Sequence, residues 1–147
     1  MTIKDNMELS LKESMKSGDV TRKNILRVVL TNLKLAEVEK GGPLDDIAVV
    51  SILQKEIKIH KDSIQDAEKA NRQDLADQYI QEMKILEEYL PEQLDETKIF
   101  ELVKSAIAEV GATSPADMGK VMKVIMPKTE GRAPNSEISR ITRELLS

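Results

Sequence analysis

Residues 74–91 read DLADQYIQEMKILEEYLP, and the fold turns on this stretch. Leu75, Tyr79, Ile80, Met83, Leu86, Tyr89 and Leu90 recur at three- and four-residue spacing. At about 100° per residue they share one side of a helix running from about Asp74 to Leu90. Pro91 ends it, because proline has no amide hydrogen and its ring clashes with the preceding turn. The break before Pro91 is the expected domain boundary, with a longer helical domain at 1–91 and a small three-helix domain at 92–147.

Working back from that helix, a third helix spans about Asp45 to Asn71, with Asp45 as its cap. Ile47, Val50, Leu53, Ile57, Ile64 and Ala67 are its apolar positions. It turns polar after His60, so its far end is expected to be exposed or paired antiparallel with the next helix. The second helix, about Thr21 to Lys40, presents Ile25, Leu26, Val29, Leu33 and Ala36 and closes at Gly41-Gly42-Pro43. Thr2 and Asp5 cap a first helix whose Ile3, Met7, Leu11 and Met15 recur every four residues up to Gly18.

Forward of Pro91, Leu94–Val110 carries Ile99, Leu102, Val103, Ala106, Ile107 and Val110 and stops at Gly111. Ser114, Pro115 and Asp117 then form a capping-box-like start for a helix with Met118, Val121, Met122 and Ile125 on one stripe, expected to stop at Pro127. A last helix holds Ile138, Ile141, Leu145 and Leu146. The fold class is all-α.

Composition agrees. The chain has 147 residues, 40% apolar and 33% charged, with only two tyrosines and one phenylalanine as aromatics. That mixture suits amphipathic helices better than sheets built on β-branched and aromatic side chains. A net charge of −4 argues against whole-surface binding to nucleic acid or anionic membrane and leaves room for a local basic patch. The absence of cysteine excludes disulfides, thiol catalysis and cysteine–metal sites. Apolar runs fall far short of the roughly 20 residues that span a bilayer, and Met1–Ser10 has no signal-peptide apolar region. The expected location is the cytoplasm, with no membrane partner.

One segment reverses the sign of the chain. From Lys120 to Arg132, four cations (Lys120, Lys123, Lys128 and Arg132) face a single carboxylate, Glu130. Lys120 and Lys123 lie off the apolar stripe of their helix, and Lys128 and Arg132 are expected in a short loop after Pro127. Gly119 would let a backbone approach closely, and the N–H groups near Ala116–Met118 point towards an anion. These five residues, Gly119, Lys120, Lys123, Lys128 and Arg132, are the candidate RNA-binding set. The bland reading of the same cations is a solvated face beside neighbouring carboxylates. With no aromatic for stacking in the segment, shape recognition of a folded RNA fits better than single-strand binding.

Other positions have structural readings. Asn71 and Arg72 sit at the turn before the fourth helix, where Asn tolerates a left-handed backbone and Asp74 can cap that helix; both form a weaker candidate anion site. Met118, Met122 and Met126 fit the core of the tail bundle or an adaptable partner groove. Tyr89-Leu90-Pro91 reads as a helix stop with an aromatic wedge. His60, the one histidine, fits a surface or half-buried position, and without cysteine it offers no closed zinc site. Adjacent carboxylates such as Asp45-Asp46 and Glu87-Glu88 point about 100° apart and form no dyad. No G-x-S-x-G, P-loop or dinucleotide fingerprint occurs, so no catalytic residue, cofactor or metal is expected.

Several motifs in order resemble the YqeY proteins, whose domain is similar to the C-terminal part of the GatB subunit of tRNA-dependent amidotransferases. They are Ala70-Asn71-Arg72 with Asp74-Leu75, Tyr89-Leu90-Pro91 with Gln93-Leu94, Gly111-Ala112, Asp117–Met122, Ile125–Lys128 and Gly131-Arg132-Ala133. The resemblance implies two all-α domains, the second a three-helix tail. In GatB the activating chemistry lies in another domain and ammonia production in another subunit; the shared part holds the elbow of tRNA. The family usually has Asp after Gly-Arg-Ala, where this chain has Pro134 followed by Asn135, which would cap the last helix one residue later.

These readings leave three functions. The first is a non-catalytic accessory that holds tRNA or another structured RNA through the basic patch. The second is a protein–protein adaptor for an amidotransferase or another RNA-handling enzyme, docking through the apolar side of the tail. The third, less favoured, is carbon–nitrogen ligase activity with glutamine as amide donor, a term that fits the larger enzyme.

Overall fold

The computed structural model describes residues 1–129 and 131–147. Among them there are seven α-helices and no strands: α1 Ile3–Ser17, α2 Val20–Lys40, α3 Asp46–Lys69, α4 Gln73–Glu87, α5 Glu96–Val110, α6 Met118–Thr129 and α7 Asn135–Leu146, with a 3-10 turn at Pro115–Asp117 before α6. Contacts group them into two units, Met1–Leu90 and Pro91–Ser147.

In the first unit, α1 starts with the expected capping box. The Thr2 hydroxyl accepts from Asp5 N at 3.1 Å, and Thr2 N donates to the Asp5 carboxylate at 3.2 Å. Asp19 and Asp45 cap α2 and α3 with one bond each, their carboxylates accepting from Arg22 N and Ala48 N. Gly41 ends α2 with φ 83°, a left-handed residue that a Cβ would strain. The core is Met7, Ile25, Leu26, Val29, Leu33, Val49, Leu53, Ile57 and Leu86. α3 and α4, joined by a short turn, pack on each other more extensively than any other pair.

Two expected core positions are exposed. Met15 is 52% accessible while Ser14 is buried. A strict four-residue repeat drifts about 40° per step, so the stripe has turned to solvent by Met15, and Ser14 takes the inward place. Its hydroxyl is satisfied by Leu11 O at 2.9 Å. Ile47 is 66% exposed, since it lies about 85° from the centre of the stripe formed by Val50, Leu53 and Ile57.

α4 ends at Glu87, earlier than its apolar pattern. Glu88, Tyr89 and Leu90 continue in tighter i→i+3 bonds to Ile85, Leu86 and Glu87. The residue before a proline is pushed out of the α region, so the helix unwinds ahead of Pro91. Tyr89 packs on the first unit's core, and its hydroxyl accepts from Arg22 at 3.2 Å. Asp74 is not the cap of α4; the helix begins at Gln73 behind Arg72, with no side-chain cap.

The second unit is a bundle in which α5, α6 and α7 pack pairwise around Ile99, Val103, Ala106, Val121, Ile125, Ala133, Ile138, Ile141 and Leu146. α5 starts at Glu96, capped by Asp95 on Lys98 N at 2.8 Å. Leu94 precedes it, and its amide donates to Arg132 O at 2.8 Å. Asn135 is the first residue of α7 rather than its cap. Pro134, with φ −64° and ψ 139°, supplies the extended cap backbone, and its carbonyl accepts from Glu137 N and Ile138 N.

Candidate nucleic-acid interface

The cationic segment is built on α6. Ser114 is extended but makes no side-chain cap bond; the Asp117 carboxylate reaches back to Thr113 N at 3.0 Å. That bond, the largest of several causes, holds the Asp117 carboxyl below the usual carboxylate range. Pro127 does not end the helix, which runs on to Thr129. Proline costs one helical bond, to Lys123 O, but in the last turn the following residues lose nothing further. Lys128 is therefore helical and not in a loop.

Around α6, Val121, Ile125 and Thr129 are buried. Lys120 stands on the outer side, with Lys123 about 60° to one side of it and Lys128 about 80° to the other. The three lysines are exposed, and Gly119 beside them is exposed too. A Cβ on Gly119 would meet nothing within 4 Å, so the space around it does not require glycine. Met118 and Met122 pack against the bundle core while Met126 is 38% exposed. The methionine stripe is thus core over two of its three residues.

Three of the four cations have a local partner, each a different one. Lys120 Nζ is 3.9 Å from Asp117 Oδ1. Lys128 Nζ donates to Glu109 Oε2 of α5 at 2.9 Å, in a pair whose side chains are 44% and 57% exposed. Arg132 caps the end of α6: Nε donates to Thr129 O at 3.2 Å and Nη2 to Lys128 O at 3.4 Å. Lys123 has no ion pair among the described residues. Glu130 lies outside them. Exposed pairs of this kind are worth about 0–1 kcal/mol, so a phosphate could displace either carboxylate at little cost.

The weaker anion candidate carries a carboxylate of its own turn. Asn71 has φ 56°, the left-handed turn expected of it. Arg72 Nε and Nη2 donate to the two oxygens of Asp74, both at 3.1 Å, and Arg72 holds the Asp74 carboxyl low. A nearby groove of about 420 Å³ between α2 and α4 is lined by Asp74, Asp77 and Glu82, the wrong sign for phosphate.

His60 is buried rather than half-exposed, at 6% accessibility. Nδ1 is 3.0 Å from Glu56 O, Nε2 is 3.6 Å from Glu82 Oε1, and the Tyr79 ring stands edge-on at 6.0 Å. Sequence reasoning missed Glu82, whose Oε2 is buried without a hydrogen-bond partner among the described residues. It also missed Glu109 and Arg140, which joins Glu96, Glu137 and Glu144 at 2.8–3.0 Å. Only the i−3 and i+4 partners of Arg140, Glu137 and Glu144, were available from spacing. Among the described residues no three His, Cys, Asp or Glu side chains group as metal ligands, and no helix is long and apolar enough to cross a membrane.

A family model described as Yqey-like protein matches residues 4–146. The chain is also similar to proteins named Altered inheritance of mitochondria protein 41, mitochondrial. That of Pyrenophora tritici-repentis is 31% identical over 145 residues, 95% of this chain and 78% of that protein. That of Lachancea thermotolerans is 31% identical over 114 residues, 76% of this chain and 61% of that protein. That of Vanderwaltozyma polyspora is 30% identical over 120 residues, again 76% of this chain and 64% of that protein. The chain therefore spans under two thirds of the second and third of these relatives.

Proposed function

This chain belongs to the YqeY family, and from that premise we propose that it is a non-catalytic accessory that holds a structured RNA, most naturally tRNA, on the outer face of α6. The observation that supports this reading is the placement of Lys120, Lys123 and Lys128 on the solvent side of one short helix, with Arg132 behind its last turn, in a chain of net charge −4. The carboxylates beside Lys120 and Lys128 are weakly held, so phosphates would take their place. Arg132 has a double part: it holds the α6 terminus and leaves a guanidinium edge beside Lys128.

Replacing Lys120, Lys123, Lys128 and Arg132 together by Ala, and measuring tRNA binding at two salt concentrations, tests the proposal. Four phosphate contacts give a log–log salt slope of roughly −3 to −4. Binding by the parent that shows no salt dependence, or a quadruple variant that binds as well, ends it.

A second reading is favoured by Phe100 and Met126, 42% and 38% exposed on the same bundle. In it the tail docks on an RNA-handling enzyme. Copurification that survives nuclease and the four substitutions would select it over the first.

A further inference from the structure

Helix α2 is apolar on two sides. Ile25, Leu26, Val29 and Leu33 enter the core, while Val28, Leu35 and Val38 are 50%, 63% and 73% exposed. With Thr31 they are spaced three, four and three residues apart, the repeat of a coiled-coil seam. Thr31 is exposed, and its hydroxyl already donates to Arg27 O at 2.8 Å, so it asks for no polar partner across such a seam. A helix packed only on its own core needs one stripe; α2 carries a second.

The charges beside the seam say what covers it. Lys34 flanks Leu35 and Glu39 flanks Val38, in the positions a heptad reserves for ion pairs between strands. Both are exposed, and neither has an ion pair among the described residues. In a parallel two-stranded pairing each such residue meets the one five places further along the other strand. Lys34 then faces Glu39 of a second copy, and the reverse pair forms by symmetry. An antiparallel pairing brings Lys34 against Lys34. The pattern is self-complementary, as a two-fold interface requires.

We propose that the outer face of α2 is a homodimer interface, two copies of this chain pairing in parallel through Val28, Thr31, Leu35 and Val38 with reciprocal Lys34–Glu39 ion pairs. The seam is short, so the dimer is weak and concentration-dependent.

Sedimentation equilibrium of the full chain between about 10 µM and 1 mM, where interfaces this small associate, should show mass rising from 16.5 kDa towards twice that value. Leu35→Glu, at an exposed position that leaves the helical circular dichroism intact, should weaken association about tenfold or more. Lys34→Glu should also weaken it, and Lys34→Glu with Glu39→Lys should restore it. Because the chain has no cysteine, Val38→Cys reports orientation: a parallel seam oxidises it to a covalent dimer far faster than Lys61→Cys. A parent that stays monomeric throughout overturns the proposal, whether or not the face captures another protein. A dimer indifferent to Leu35→Glu, or equal oxidation of the two cysteine variants, overturns it as well.

Discussion

Replacing Glu109 by Gln should strengthen RNA binding, although the substitution lies on α5 and removes no obstacle of shape. Glu109 holds Lys128 Nζ at 2.9 Å, so in the parent this lysine brings a carboxylate with it to any phosphate. The pair is about half exposed on each side and worth at most about 1 kcal/mol, so freeing Lys128 should tighten binding by roughly two- to fivefold at low salt. Lys128 already counts among the four phosphate contacts, so the log–log salt slope should stay at roughly −3 to −4 while the affinity rises. Fluorescence anisotropy with labelled tRNA at several salt concentrations reads both quantities. Asp62→Asn, exposed on α3, changes net charge equally and controls for it. If Glu109→Gln leaves affinity unchanged, or Asp62→Asn reproduces its effect, the α6 face is not where RNA sits.

Ile125→Ala, at a fully buried position of the second unit, should cost about 2–5 kcal/mol, read as a lower midpoint in urea. Arg22→Ala removes a half-exposed bond to Glu88 at 2.7 Å and should cost no more than about 1 kcal/mol in the same assay. Asp117 binds its proton more weakly folded than unfolded. Its contribution is therefore complete above its ordinary value of 3.8 and is lost as pH falls through the lower folded value. Asp117→Asn should flatten the acid limb of melting temperature against pH below about pH 4 and leave the slope near pH 7 alone. The fragment Pro91–Ser147 should melt cooperatively by circular dichroism; a featureless melt would show that its bundle needs the first unit.

The helices are legible in the sequence because their apolar residues keep three- and four-residue spacing, and because Thr2, Asp45, Gly18 and Gly41 are punctuation with a local mechanism. Spacing misplaces Met15 and Ile47, where a pattern is followed without the angle it subtends. Pro127 reads as a stop, although its missing bond matters little in a final turn. The cations of the candidate site are visible as residues, but their partners are not. Glu109 is 19 positions from Lys128, and His60 meets Glu82 across the α3–α4 packing; neither pairing leaves a trace in local spacing. Arg132 counts among the cations, and nothing in its sequence neighbourhood shows that its guanidinium closes a helix.

The Leu94 amide on Arg132 O, together with Gln93 Nε2 bridging Pro91 O and Gly131 O at 2.8 and 3.2 Å, makes residues 91–94 a buckle and not a tether. Deuterium should enter the Leu94 amide slowly for a residue outside any helix. Residues inserted ahead of Pro91 would lengthen a strap, whereas one inserted between Leu94 and Asp95 would unfasten the Gly131-Arg132 turn and loosen the end of α6 with it.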